Sequence, residues 1–243
     1  MRILFIRHGD PDYVNDTLTQ RGEKEAAALA EIISGYNISK AYISPLGRAA
    51  RTAEVCLERL SMTGTTYDWL REFPPVIDHP EEKNTIVWDW LPDEWTKEPA
   101  YFDLDKWDET NTMQKGKVKE EYDKVIEGFD KIIESHGYRR DKMYYKAEKS
   151  NHDTIAFFCH FGVECVLLSR LINVSPMILW HGFCAAPTAI TSVYTEERRE
   201  GIASFRVNEF GATPHLFVKD IIPSKRARFV ECFGDTEPDF EHK

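Results

Sequence analysis

The sequence predicts an α/β fold in three layers, a mostly parallel sheet with helices on both faces. Three observations predict it. Two short apolar runs, Ile3-Leu4-Phe5-Ile6 and Thr154-Ile155-Ala156-Phe157-Phe158-Cys159, have the β-branched and aromatic content of strands buried on both sides. Each stops at polar residues, Arg7-His8 and His160, as strands do where they deliver side chains to a crevice at the carboxyl edge of a parallel sheet. Stretches with helical periodicity follow the strands. At 243 residues the chain fits one large domain over 1–243.

After the first strand, residues 10–16 form a polar loop containing Pro11 and Asn15. Thr19 is placed to cap a helix whose stripe Ala26, Leu29, Ala30 and Ile33 runs to about Ser34, where Gly35 ends it. Ala41-Tyr42-Ile43 is the second strand, leading into Ser44 and into Pro45, which suits a first helical position. The helix beyond turns Ala49, Ala53, Cys56 and Leu60 inward and carries Arg48 and Arg51 about a turn apart. Arg51 reads as an exposed helix arginine.

Residues 69–107 hold five of the six tryptophans among several prolines and dense carboxylates. Disordered segments are poor in aromatics, so an insertion over about 73–115, folded across the site, is expected. The same aromatics suit a satellite core or a partner surface. Beyond Gly116, the positions Val118, Tyr122, Val125, Ile126, Phe129, Ile132 and Ile133 make one helix stripe. Residues 139–153 read as a loop. Val163, Val166, Leu167 and Leu171 give a helix after the late strand, and 189–194 with 202–207 a hairpin. The last twenty residues or so read as peripheral, with Lys225, Arg226 and Arg228 a solvated cluster.

A net charge of -10 without a basic stripe disfavours nucleic acid as a partner. No apolar stretch suggests a membrane span. Met1-Arg2-Ile3-Leu4 runs straight into the first strand with no cleavage pattern, so a cytoplasmic protein is expected. Five cysteines without a close pair read as reduced thiols rather than a disulfide or zinc framework.

Four motifs carry the chemistry, in this order: Arg7-His8-Gly9; Ser44-Pro45-Leu46-Gly47-Arg48-Ala49-Ala50-Arg51-Thr52-Ala53; Leu70-Arg71-Glu72; and Cys159-His160-Phe161-Gly162. Arginine offers a planar fork that matches phosphate, and a neutral imidazole offers a lone pair near neutral pH. Glycine lets the backbone pass close beside a ligand. Together the motifs resemble the histidine phosphatase superfamily, the phosphoglycerate-mutase-like proteins. That family shows R-H-G after the first strand, then S-x-L-x-R-A-x-x-T-A, then a leucine and glutamate pair, then H-x-G after a later strand. The likeness covers roughly 1–72 and 154–216, and four ordered motifs are far more specific than one.

The resemblance implies a phosphoglycerate-mutase-like fold and a metal-independent phosphomonoester hydrolase without cofactor, acting on a small-molecule phosphate ester. It implies His8 as nucleophile, forming a phosphohistidine. Arg7, Arg48 and His160 would hold the phosphoryl oxygens, with Asn15 a further candidate ligand. Glu72 would protonate the departing alkoxide and later take a proton from water. A phosphomonoester carries about −1.5 to −2 charges at neutral pH, which two arginines and a protonatable histidine nearly balance. Helix N-termini after Ser44 and His160 would add amide donors. Phe73-Pro74-Pro75 replaces the glycine-containing stretch that often follows the acid, so Asp78, Glu81 and Glu82 stand as alternative acids. A mutase is the alternative activity, and a silent phosphate-binding module the alternative of another class. Mutases of this family resemble one another in a basic segment after the acid, and here it is proline-rich and acidic.

Overall fold

The computed structural model describes residues 1–79, 83–226 and 228–235; Pro80, Glu81, Glu82 and His242 lie outside the described residues. In chain order the first part comprises β1 (Arg2–Arg7), β2 (Pro11–Asp12), β3 (Thr17–Leu18), α1 (Gln20–Ile33), β4 (Ile38–Ile43), α2 (Gly47–Leu60) and β5 (Thr65–Thr66). The expected insertion holds only short pieces: β6 (Val76–Ile77), β7 (Thr85–Ile86), α3 (Pro92–Trp95) and α4 (Asn111–Lys115). The remainder comprises α5 (Val118–Ser135), β8 (Tyr138–Asp141), β9 (Tyr144–Ala147), β10 (Thr154–Cys159), α6 (Phe161–Ile172), α7 (Pro176–Gly182), β11 (Ile190–Arg199), β12 (Ile202–Ala212) and α8 (Pro214–Val218).

Eight strands form one sheet in the order β5-β4-β10-β1-β11-β12-β9-β8. The half from β5 to β1 is parallel, and β11, β12, β9 and β8 extend it by antiparallel pairing. Alternation along the strands builds the three layers. Ile3 and Phe5 of β1, with Ile155 and Phe157 of β10, pack with Phe129 and Ile133 of α5 and Val163 and Val166 of α6. Leu4, Ile6, Ala156 and Phe158 face the opposite way, against Leu29 and Ile33 of α1 and Ala53 and Cys56 of α2. Side chains of this size buried from water contribute about 1.5–3 kcal/mol each. The central strands are therefore the least movable support for whatever their ends carry.

Thr19 caps α1 as expected, its hydroxyl accepting from Gly22 N at 3.1 Å. Helix α2 starts at Gly47, two residues after Pro45, with Leu46 at the N-cap. Residues 139–153 are not simply a loop: β8 and β9 form a hairpin on the sheet's edge. Its inward positions are only Tyr138 and Tyr145, both buried among otherwise polar neighbours, so the period of two is hard to see in the sequence. Among the described residues no helix is long and apolar enough to cross a membrane.

Candidate active site

Three parallel strands end at one edge of the sheet. Register pairs Arg7 with Cys159 and Ile43 with Phe158, so His8, Ser44 and His160 emerge side by side. The His8 and His160 rings lie 5.0 Å apart between centroids. His8 Nδ1 donates to the Gly9 carbonyl at 2.7 Å, which leaves the lone pair of the neutral ring on Nε2. Its backbone is held on both sides, His8 N donating to Cys159 O at 3.1 Å and Thr188 N donating to His8 O at 3.0 Å.

His160 is fully buried, with Nε2 2.7 Å from the Ser44 hydroxyl. Burial first, then the nearby His8, Arg48 and Arg7 charges, hold its pKa well below the usual imidazole range. That direction favours the neutral ring as a hydrogen-bonding group at this position. Ser44, the first residue of the second motif, orients this ring.

Arg7 is buried; its side chain donates to Ala185 O and its backbone N to Ala189 O at 3.1 Å. The segment before β11 thus fixes the first arginine. Arg48 Nη1 donates to Asp16 Oδ1 at 2.8 Å, and the other Asp16 oxygen accepts from Gly47 N at 2.7 Å. One carboxylate thereby steadies the helix start and the arginine together. Arg7 Nε, Arg48 Nε and His160 Nδ1 are buried without a hydrogen-bond partner among the described residues. Polar atoms in that state call for a partner such as an anion's oxygens.

Glu72 Oε1 accepts from Phe73 N at 2.9 Å and Val163 N at 3.1 Å, joining the acid to the first turn of α6. Burial pushes its carboxyl above the usual range, with the two amides and the Arg48 and Arg7 charges pulling the other way. The Phe73 that follows it is itself buried, stacked on Trp180 at 5.5 Å between centroids, so the changed sequence here is accommodated in the core. Asp78 is exposed and accepts from Asn84 N at 3.2 Å, away from the crevice.

The glycines have structural reasons. A Cβ on Gly162 would fall 2.7 Å from Glu72 Oε1 and 2.6 Å from the Trp88 ring. On Gly9 it would fall 2.9 Å from the Gly22 carbonyl, so close packing of α1, rather than approach to a ligand, demands that glycine.

Asn15 does not join the site: it is exposed and donates to Asp12 Oδ2 at 2.8 Å, because the turn after β2 folds back on Asp12. Arg51 pairs with Glu23 at 2.9 Å and Glu54 at 2.6 Å on the outer face of α2. Residues 224–226, expected to be peripheral, return to the site. Ser224 donates to buried Asp10 at 2.7 Å, and Arg226 pairs with the same oxygen at 3.3 Å. Asp10 directly follows the R-H-G motif, yet nothing in the local pattern says that a segment over two hundred positions away will meet it. A crevice of about 640 Å³ is lined by Arg7, His8, Arg48 and Glu72, by tryptophans of the 73–115 stretch, and by this returning strand of chain.

The family model described as histidine phosphatase superfamily (branch 1) matches residues 3–208. No curated protein matches the chain. Among solved structures it is similar to a phosphoserine phosphatase variant from Entamoeba histolytica in complex with phosphoserine. That likeness has a TM-score of 0.57 at 18% identity, over 88% of this chain and 98% of that one. It is also similar to a mycobacterial glucosyl-3-phosphoglycerate phosphatase, with a TM-score of 0.55 at 17% identity, over 87% of this chain and 99% of that one.

Proposed function

The chain belongs to the histidine phosphatase superfamily, and from that premise we propose that it hydrolyses phosphomonoesters through a phosphohistidine on His8. The observation that carries the reading is the meeting of His8, tied through Nδ1 to Gly9, with Arg7, Arg48 and Glu72 on the wall of one crevice and His160 behind it.

In the first step His8 Nε2 attacks phosphorus in line. The P–O ester bond breaks, its electron pair leaves with the alcohol oxygen, and Glu72 supplies the proton. In the second, the Glu72 carboxylate takes a proton from water, the oxygen attacks phosphorus, and the P–N bond breaks with its pair returning to Nε2. Arg7 and Arg48 balance the phosphoryl charge, and charge-assisted hydrogen bonds of this kind contribute about 1.5–3 kcal/mol each. Donors that tighten as the phosphoryl group flattens lower the barrier. The raised carboxyl of Glu72 supports its part as a general acid. These steps use protein groups alone, and the five unpaired cysteines suit work in the cytoplasm.

Water rather than a second substrate hydroxyl is the acceptor, because Phe73-Pro74-Pro75 and the carboxylates after them offer no basic segment to hold a phosphorylated product. The test is inorganic phosphate release from a panel of small phosphoesters, beside His8→Ala. Release by the natural chain and loss in the variant are expected. Undiminished release by the variant, or isomerised ester in place of phosphate, contradicts the reading.

A further inference from the structure

The crevice extends well past its phosphate end, and about 640 Å³ is the size of a site for an organic ligand. Its outer walls include Trp88, Trp90, Trp95, Phe161, Phe183 and Phe229. Trp88 matters most. A Cβ on Gly162 would meet both its ring and Glu72 Oε1, so the indole lies beside the carboxyl that serves the leaving-group oxygen. These walls are braced: Trp88 packs against Trp180 at 6.3 Å, and Trp180 Nε1 donates to Gly162 O at 2.9 Å. Trp90 stacks on His79 at 4.5 Å and Trp95 on His181 at 4.9 Å.

Charge points the same way. The outer cations of the lining already face carboxylates, Arg226 with Asp10 at 3.3 Å and Arg228 with Glu231 at 2.9 Å. Asp89 and Glu231 place carboxylates on the same wall as these cations. A second anionic group on the substrate would have to compete with those carboxylates for cations that already have partners. A neutral aromatic ring would gain offset or edge contacts with braced indoles instead.

We propose that the outer crevice selects phosphomonoesters whose leaving alcohol is neutral and carries an aromatic ring, Trp88 being the first wall that ring meets. This rests on the hydrolase reading and names its substrate class. The experiment compares kcat/KM for benzyl phosphate, cyclohexylmethyl phosphate and O-phosphoserine in the natural chain and in Trp88→Leu. Alongside it, calorimetry ranks benzylphosphonate against methylphosphonate on His8→Ala.

Benzyl phosphate should exceed O-phosphoserine tenfold or more and the cyclohexyl ester by about threefold to tenfold, the size of an aromatic contact. The margin over the cyclohexyl ester should shrink toward one in Trp88→Leu. Equal values, a preference for O-phosphoserine, or no phosphonate ranking overturns the inference. Turnover without ranking sinks the aromatic selection alone. Phosphonate ranking without any turnover upholds the selection and sinks the hydrolase reading.

Discussion

Burial of Glu72 outweighs two amides and two arginines and raises its carboxyl above the usual range, and that sets its behaviour with pH. Its raised pKa keeps the acid form present at higher pH than in an ordinary glutamate. Transfer to an alcohol with a poor leaving tendency should therefore fall as pH rises through that value. Glu72→Gln should lower kcat by roughly 10²–10⁴-fold and erase this basic limb, in a pH–rate series on an alkyl phosphate. An unchanged limb assigns the proton to another group. At Gly162 a single methyl group would press on Glu72 and Trp88, so Gly162→Ala should lower activity tenfold or more. Its stability should fall by only about 1–3 kcal/mol, as in other overpacked sites; a thermal melt beside the assay separates the two. At this scale the meeting of Arg7, His8, Arg48 and His160 was legible because their residue types and order match the family pattern. Asp16 was not, and Ser44 was legible as a motif position but not as the partner of His160. A loop aspartate and a strand-end serine look alike whether they touch water or a catalytic side chain.

Elements decide where those residues meet. The carboxyl ends of β1, β4 and β10 were readable as buried apolar runs stopped by polar residues, and the parallel register does the rest. The segment before β11 was not readable. There Thr188 adopts φ +59, a strained conformation for a β-branched residue, and His215 lies 2.8 Å from its hydroxyl. That strain is held because Thr188 N donates to His8 O, fixing the backbone of His8. The returning chain at 224–226 was misread as solvated because its partner, Asp10, is buried and distant in sequence. Ser224→Ala with Arg226→Ala removes two partners of that carboxylate. KM for phosphoesters should rise several-fold while kcat changes less, in steady-state kinetics, because one wall of the crevice loosens while His8 and Glu72 keep their own bonds. A kcat loss with unchanged KM contradicts this role.

The whole molecule gathers its chemistry at one sheet edge and leaves the antiparallel half as scaffold. The three-layer arrangement was legible from unbroken apolar runs, the helical stripes after them and length, whereas the edge hairpin of β8 and β9 was hidden by its polar outer faces. A buried carboxyl gives the fold a pH dependence of its own. Glu164 of α6, facing Thr191, Arg7 and Glu72, is pushed by burial up to about 8. Between its ordinary value near 4.5 and about 8 the folded chain holds a proton that the unfolded chain releases. Stability should therefore decline as pH rises through that window, and Glu164→Gln should flatten the decline in denaturant titrations at several pH values. A slope that the substitution leaves intact assigns it elsewhere.

The account stands on covalent capture of phosphorus by one imidazole. Mixing the protein with a phosphoester labelled at phosphorus, quenching in alkali and mapping the label by peptide should place an alkali-stable, acid-labile phosphoryl group on His8. His8→Ala should carry none. Label on another residue, or phosphate release with no labelled peptide at any quench time, would contradict it.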